Sequence, residues 1–152
     1  MFNIKNILMP TDFSKRSLAA AEYALELASQ YNAKLHILHV LEKTPPVLAI
    51  RSFDLSEEKI IESIENDAKE SMEAAIKSIN NEKNVELVPV IRKGIDYEEI
   101  VKYSEENDID VIVIATKGRT GLMHTLIGSV AEKVVRHASC PVLVITPKEK
   151  DD

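Results

Sequence analysis

The 152-residue chain has one cysteine and no long apolar run, and each scarcity excludes a class of protein. Its cysteine, Cys140, can form no internal disulfide and supplies too little sulfur for a zinc cluster, which fits a reducing compartment. No apolar stretch approaches the ~20 residues that a membrane-spanning helix needs. The first such stretch stops at Pro10, too early for a secretory signal. These features predict a cytoplasmic protein with no membrane partner.

Positive charge is also in deficit, because 19 Lys and Arg stand against 25 Asp and Glu, giving a formal net charge of -6. A surface that grips nucleic-acid phosphates needs the opposite balance, so we expect no nucleic-acid partner. The hydrophobic fraction, 45%, and the charged fraction, 29%, are those of an ordinary globular protein. We predict a single domain over residues 1–147, followed by a charged tail over residues 148–152.

Short apolar runs alternate with amphipathic segments along the whole chain. The runs predict strands at 4–9, 34–40, 85–91, 110–115 and 141–145. Three- and four-residue apolar steps predict helices from Ser14 or Ser17 to about Gln30, from Ser56 to about Asn80, over 97–106 and over 129–138. The stretch from Glu42 to Leu55 contains two prolines and is predicted to be a loop.

This β-α-β-α-β-α-β-α-β order predicts the fold. Strict alternation with helices of crossover length gives a parallel sheet with right-handed connections and helices on both faces, a doubly wound, Rossmann-like α/β domain. The fourth strand is apolar at every position after Asp110 and suits the centre of such a sheet. The expected five-stranded order is 3-2-1-4-5, in which ligands bind beyond the carboxyl ends of strands 1 and 4.

Three of the four glycines fall within eleven positions after the fourth strand, from Gly118 to Gly128, and a lysine and an arginine flank the first of them. Glycine permits positive φ and close backbone approach, and the helix that follows offers free N–H groups and a dipole that favours an anion. Two interpretations remain open. The segment is a phosphate-binding turn, or it is a tight turn followed by a capping box, Ser129-x-x-Glu132, with no ligand.

The first strand closes with Pro10-Thr11-Asp12-Phe13, which the predicted strand order sets on the same sheet edge as the glycine-bearing turn. A carboxylate at a strand end can accept hydrogen bonds from ribose hydroxyls. Asp12 can equally cap the first helix, so it supports a nucleotide site only in combination with the turn.

With these motifs in place, the chain resembles the universal stress protein family over residues 4–146. The nucleotide-binding branch of that family carries G-x-x-G, nine residues, then G-S or G-T, and Ala115-Thr116-Lys117-Gly118, nine residues and Gly128-Ser129 match that spacing. The surrounding sequence, GRTGLMHTLIGSVAEKVVRHASCPVLVI, is similar to that of family members. Ala115 stands in place of the first glycine of this motif, and Lys117 stands where family members frequently have a histidine. Both departures bear on the nucleotide affinity and on the choice among ATP, ADP and AMP.

The resemblance implies the fold of the adenine nucleotide alpha hydrolase-like group, an adenine nucleotide site and a role in stress responses. Pro10, Thr11 and Asp12 would line the ribose and adenine, and the backbone at Val40 would contact the adenine edge. The phosphate side would comprise Ala115, Thr116, Gly118, Arg119, Gly128, Ser129 and Val130. Mg²⁺ or Mn²⁺ would be held by the phosphate oxygens rather than by protein side chains.

The predicted strand order leaves the fifth strand, Val142-Leu143-Val144-Ile145, on an open edge of the sheet. An apolar edge strand of this kind favours pairing with another chain. We expect a homodimer in which this strand pairs antiparallel with its copy under two-fold symmetry, as family members are also homodimers.

Other α/β functions lack their residues here. A phosphorelay receiver needs a phosphoacceptor aspartate after the third strand, and the P-loop and G-x-G-x-x-G motifs are absent. Cys140 and the histidines have no evident catalytic partner, and we interpret the latter as structural or exposed: His36, His39, His124 and His137. We expect a regulatory nucleotide-binding protein with at most slow ATP hydrolysis. The alternative is a nucleotide-free member that acts through an unknown protein partner.

Overall fold

The structure is a computed structural model that describes residues 2–41, 57–116 and 127–147. The strands are β1 (Asn6–Pro10), β2 (Lys34–Leu41), β3 (Leu87–Lys93), β4 (Val111–Ala115) and β5 (Val142–Ile145). The helices in the described ranges are α1 (Lys15–Leu18), α2 (Ala21–Tyr31), α3 (Glu57–Ser78), α4 (Asp96–Glu106) and α5 (Ser129–His137). All strand pairs are parallel in the order β3-β2-β1-β4-β5, which confirms the predicted sheet.

The sheet has one apolar layer on each face, because alternate side chains of the central strands point in opposite directions. Ile7 and Met9 of β1 pack with buried residues of α2 and α3, whereas Leu8 packs with buried residues of α4 and α5. Every residue of β4 is buried, as expected for a strand that helices cover on both sides. The helices therefore lie on both faces, and none in the described part of the chain is long and apolar enough to cross a membrane.

The predicted first helix is wrong in one respect, since the structure divides it into α1 and α2. Ser14, one of the two predicted caps, begins α1 by accepting a hydrogen bond from the Ser17 N–H at 3.1 Å. At the end of α1 the N–H of Ala20 bonds the carbonyl of Ser17, three residues back, which tightens the turn and separates the two helices. The predicted loop from Glu42 to Leu55 lies outside the described residues.

Two prolines lie within strands at positions where a missing N–H breaks no hydrogen bond. Pro10 ends β1 one residue later than predicted, and its nitrogen is directed toward β4, whose pairing with β1 stops at Leu8↔Ile112. Pro89 lies in β3, at one edge of the sheet. Because the residues on either side of Pro89 carry the bonds to β2, its nitrogen is directed outward from that edge.

The carboxyl edge of the sheet opens between β1 and β2. Their pairing ends at Pro10↔Leu38, whereas pairing between β2 and β3 continues to Leu41↔Lys93. Gly94 then ends β3 with a φ of 151°, and its N–H donates to the Leu41 carbonyl at 2.9 Å. A crevice at this edge is where parallel α/β sheets bind ligands.

Candidate functional site

The backbone of Val40 faces this crevice. Hydrogen bonds along β2 alternate between its neighbours: the Leu38 carbonyl accepts from the Thr11 N–H, and the Leu41 carbonyl accepts from the Gly94 N–H, both at 2.9 Å. In a parallel strand, residues two apart direct their N–H and C=O to the same side. Val40 therefore presents a backbone donor and acceptor toward β1, one step beyond the last pair between the two strands.

The turn after β1 is held by side chains that bond the backbone. The Phe13 N–H donates to Thr11 Oγ1 and the Ser14 N–H donates to Asp12 Oδ1, both at 3.0 Å. Ser17 Oγ donates to the Ser14 carbonyl at 3.0 Å and so accepts from the Thr11 hydroxyl at 2.8 Å. These hydrogen bonds hold Phe13 in the left-handed region, with φ 68°. Non-glycine residues keep such a conformation only where their surroundings impose it, typically at functional sites.

At the end of β4, Thr116 is buried and its backbone is fully engaged. Its N–H donates to the Ile145 carbonyl at 2.8 Å, and its own carbonyl accepts from the Gly128 N–H. Its hydroxyl, on a residue only 3% exposed, has no hydrogen-bond partner among the residues that the structure describes. A buried hydroxyl left unpaired costs about 1–3 kcal/mol. Such a hydroxyl can bond a ligand, an ordered water or a group outside the described residues.

The start of α5 contradicts the capping-box interpretation. Gly128 is the N-cap, with an extended backbone (φ -66°, ψ 159°) and no capping side chain. Ser129 is therefore the first helical residue rather than the cap, and Glu132 instead pairs with Arg136 one turn later, at 2.6 Å. The first N–H groups of a helix have no intrahelical partner and carry the positive end of the dipole. This end of α5 can therefore accept an anion.

The structure brings most of the predicted site residues to one edge. Because β1 and β4 are neighbours, Pro10, Thr11 and Asp12 lie next to the end of β4 at Ala115 and Thr116. The hydrogen bond from Gly128 to Thr116 ties the start of α5, with Ser129 and Val130, to the same point. Val40 follows on the next strand. The remaining predicted members, Gly118 and Arg119, lie outside the described residues, as does Lys117 between β4 and α5.

No metal centre accompanies these residues in the described part of the chain, where no three His, Cys, Asp or Glu side chains are grouped as ligands. The donors gathered here are backbone N–H groups and hydroxyls. Apart from Asp12, which already accepts a bond from Ser14, they suit an anion more than a cation.

The histidines have partners that the sequence did not reveal. His36 is buried, with Nδ1 2.6 Å from the Tyr103 hydroxyl and Nε2 3.0 Å from Asn6 Oδ1, and burial lowers its pKa. His137 is exposed on α5, and His124 lies outside the described residues. These observations agree with the expectation that the histidines are structural or exposed: His36 links β2 to β1 and α4, and His137 is exposed. His39 also makes a structural contact, with the turn after β1.

Similarity to known proteins extends over nearly the whole chain. The model of the universal stress protein family matches residues 3–146. The universal stress protein MJ0531 of Methanocaldococcus jannaschii is 35% identical over 149 residues, which cover 97% of this chain and 85% of that protein. The protein MJ0577 of the same organism is 32% identical, covering 95% of this chain and 96% of its own.

Solved structures also have a fold similar to that of this chain. The structure of MJ0577 superimposes with a TM-score of 0.76 over 98% of this chain and 100% of that chain, at 31% identity. A structure of a universal stress protein in complex with cAMP superimposes with a TM-score of 0.56 at 25% identity, over 95% of this chain and 98% of that chain. These proteins share the topology that creates the edge between β1, β4 and α5.

Proposed function

The chain belongs to the universal stress protein family, and we propose that it binds an adenine nucleotide (ATP, ADP or AMP) at the carboxyl edge of its sheet. In this proposal it acts as a regulatory protein in stress responses rather than as a fast catalyst. The observation that carries the proposal is the buried Thr116 hydroxyl, which lacks a partner among the described residues at the point where β4 leads toward α5.

On the base side, the proposal is supported by the backbone of Val40. Adenine carries a ring-nitrogen acceptor beside an exocyclic amino donor, a pattern that one backbone N–H and one C=O complement. Asp12, which follows Thr11 just after β1, would accept hydrogen bonds from ribose hydroxyls. The relative that was solved with cAMP also carries an adenine nucleotide, which favours the same class of ligand here.

On the phosphate side, the proposal uses the start of α5. The N–H groups of its first turn and the Ser129 hydroxyl would bind phosphate oxygens, with Gly118 and Arg119 added from the preceding turn. Mg²⁺ or Mn²⁺ would be held mainly by the phosphates, because magnesium commonly relies on substrate phosphates and water for most of its ligands.

Thr116→Val tests the proposal directly, because valine keeps the shape of the side chain and removes the hydroxyl that has no partner among the described residues. We expect the affinity for Mg²⁺-ATP, measured by titration calorimetry, to fall by about tenfold or more, since a hydrogen bond to a charged group contributes about 1.5–3 kcal/mol. The free energy of unfolding of the free protein, measured in urea, is expected to stay the same or rise.

The control for this variant is Ser104→Ala. The Ser104 hydroxyl is also buried, but it donates to the Val101 carbonyl at 2.6 Å within α4. Its removal is expected to lower stability without changing nucleotide affinity. If the parent protein binds no ATP, ADP or AMP at millimolar concentration and gains no thermal stability from them, the proposal fails. A nucleotide-free member acting through protein contacts would then be favoured.

We also propose that the protein is a homodimer through β5. This strand pairs with β4 on one side only, and Leu143 within it is 42% exposed. Leu143→Lys is expected to convert a dimer into a monomer in size-exclusion chromatography with light scattering, because two lysines would meet near the two-fold axis. Ile95→Lys, at an exposed apolar residue beside the opposite edge, is the matched control and should leave the dimer intact. A parent protein that is monomeric at high concentration would contradict the proposal.

A further inference from the structure

His39 precedes Val40 in β2, and its side chain reaches the turn that follows β1. Its Nδ1 lies 2.8 Å from the carbonyl oxygen of Thr11. A carbonyl oxygen only accepts, so Nδ1 carries a proton and donates it to this bond. The imidazole is half-buried and stacks on Phe13, with ring centroids 4.1 Å apart and planes inclined by 30°.

This hydrogen bond takes the place of a strand-to-strand bond. Since the Thr11 N–H already donates to Leu38, the next step of a parallel ladder would join the Thr11 carbonyl to the N–H of Val40. Pairing instead stops at Pro10↔Leu38, and the imidazole donates to that carbonyl. The consequence is that β1 and β2 separate at this residue and Val40 keeps its backbone directed into the crevice.

The same ring supports the other side of the turn. Phe13, which it contacts face to face, is the residue held in the left-handed region, and Asp12 lies between Phe13 and Thr11. One imidazole thus fixes the carbonyl before Asp12 by a hydrogen bond and the aromatic ring after Asp12 by stacking. The two features that would contact adenosine, the Val40 backbone and the Asp12 carboxylate, both depend on its position.

We infer that His39 is a positioning residue of the nucleotide site, which holds the β1 turn away from Val40 so that the adenosine part of the ligand can enter. This inference rests on the proposed function. The phosphates would lie at α5, on the far side of β1, and would have no contact with the His39 side chain. A defect at His39 should therefore weaken every adenine nucleotide by the same factor and leave the ratio of ATP affinity to AMP affinity unchanged.

Two variants separate the two contacts of the ring. His39→Phe keeps an aromatic ring for Phe13 and removes the N–H donor, whereas His39→Asn places an amide N–H near the position of Nδ1 and removes the ring. We expect His39→Phe to weaken ATP and AMP binding alike by about fivefold or more, because one partly buried hydrogen bond is lost. His39→Asn is expected to restore part of that affinity, because it returns the N–H donor to Thr11 but not the ring that stacks on Phe13. His137→Asn, on the exposed face of α5, is the control and should behave like the parent.

Affinities are to be measured by calorimetry at a temperature where circular dichroism shows each variant folded. An unchanged dissociation constant for His39→Phe, with only a lower melting temperature, would overturn the inference while leaving nucleotide binding intact. A changed ATP-to-AMP ratio, or an asparagine variant as weak as the phenylalanine one, would also overturn it. Absence of binding by the parent would refute the proposed function itself.

If His39→Phe does not fold, Phe13→Leu tests the stack with the histidine in place. Leucine keeps an apolar side chain against the cluster that Phe13 packs on, but it has no ring to stack on His39. An equal loss of ATP and AMP affinity in this variant supports the inference. Parent-like affinity for both nucleotides contradicts it.

Discussion

Ser129→Asp is expected to weaken Mg²⁺-ATP binding by at least about tenfold while raising the stability of the free protein. Ser129 is the exposed first residue of α5, where a carboxylate interacts favourably with the helix dipole by about 0.3–1 kcal/mol. The same carboxylate would repel bound phosphates, and about 1.4 kcal/mol of repulsion is enough for a tenfold loss of affinity. Calorimetry measures the first effect and urea unfolding the second.

The opposite signs make this variant informative, because damage to the fold cannot lower affinity and raise stability together. Ser129→Ala is the matched control and removes only the hydroxyl, so its effect on affinity should be smaller. If Ser129→Asp stabilises the protein and binds ATP like the parent, the phosphates do not lie at the start of α5. The proposed placement of the ligand would then be wrong even if a nucleotide binds elsewhere.

Lowering the pH from 7 to 5 is expected to destabilise the protein, with His36 as a main cause. Burial disfavours the charged form of the ring, and in the neutral form Nε2 donates to Asn6 Oδ1 while Nδ1 accepts from the Tyr103 hydroxyl. Burial, followed by the positive charge of Lys34, lowers its pKa below the ordinary value of 6.5, and the charge of Glu86 opposes this shift only in part. Protonation would take from the tyrosine hydroxyl its acceptor.

The sign follows from proton counts. Below pH 6.5 the unfolded chain binds a proton that the folded His36 does not, so unfolding becomes more favourable as the pH falls. The contribution to stability is complete above that pH and is lost as the pH falls toward the folded pKa. We expect a loss of at most about 2 kcal/mol between pH 7 and 5, because one proton bound only by the unfolded chain contributes about 1.4 kcal/mol for each pH unit below 6.5.

Urea unfolding at a series of pH values measures this effect. His36→Gln, which cannot titrate, should show a much flatter stability profile between pH 7 and 5. His137→Gln, at an exposed histidine, should keep the profile of the parent. A His36→Gln profile as steep as that of the parent would assign the acid sensitivity to other groups.

Alternation of apolar runs with amphipathic segments was enough to predict the sheet and its order. Helices of crossover length leave few ways to connect parallel strands, and the fully apolar run of β4 identifies a central strand. Boundaries were less predictable where proline is present. Proline is disfavoured in strands in general, but Pro10 belongs to β1 because its missing N–H faces a side where pairing has already ended.

The site was predicted as a set of residues, but its local chemistry was not. The pattern Ser129-x-x-Glu132 suggests a capping box, yet the preceding glycine takes the extended cap conformation and moves the serine into the helix. The hydroxyl of Thr116 and the bond from His39 to Thr11 depend on groups that only the folded sheet brings together. No spacing in the sequence signals either of them.

Pro89, in β3, has a consequence for the size that an assembly can reach. A parallel sheet whose two edge strands both offer free backbone N–H and C=O groups could pair with further copies at each edge and grow into a fibre. Here the outward-facing nitrogen of Pro89 carries no hydrogen, so the edge at β3 lacks a hydrogen-bond donor at its centre. The opposite edge of the sheet is β5. In the proposed homodimer, pairing through β5 under two-fold symmetry would use this open edge of both copies at once, and growth would terminate there.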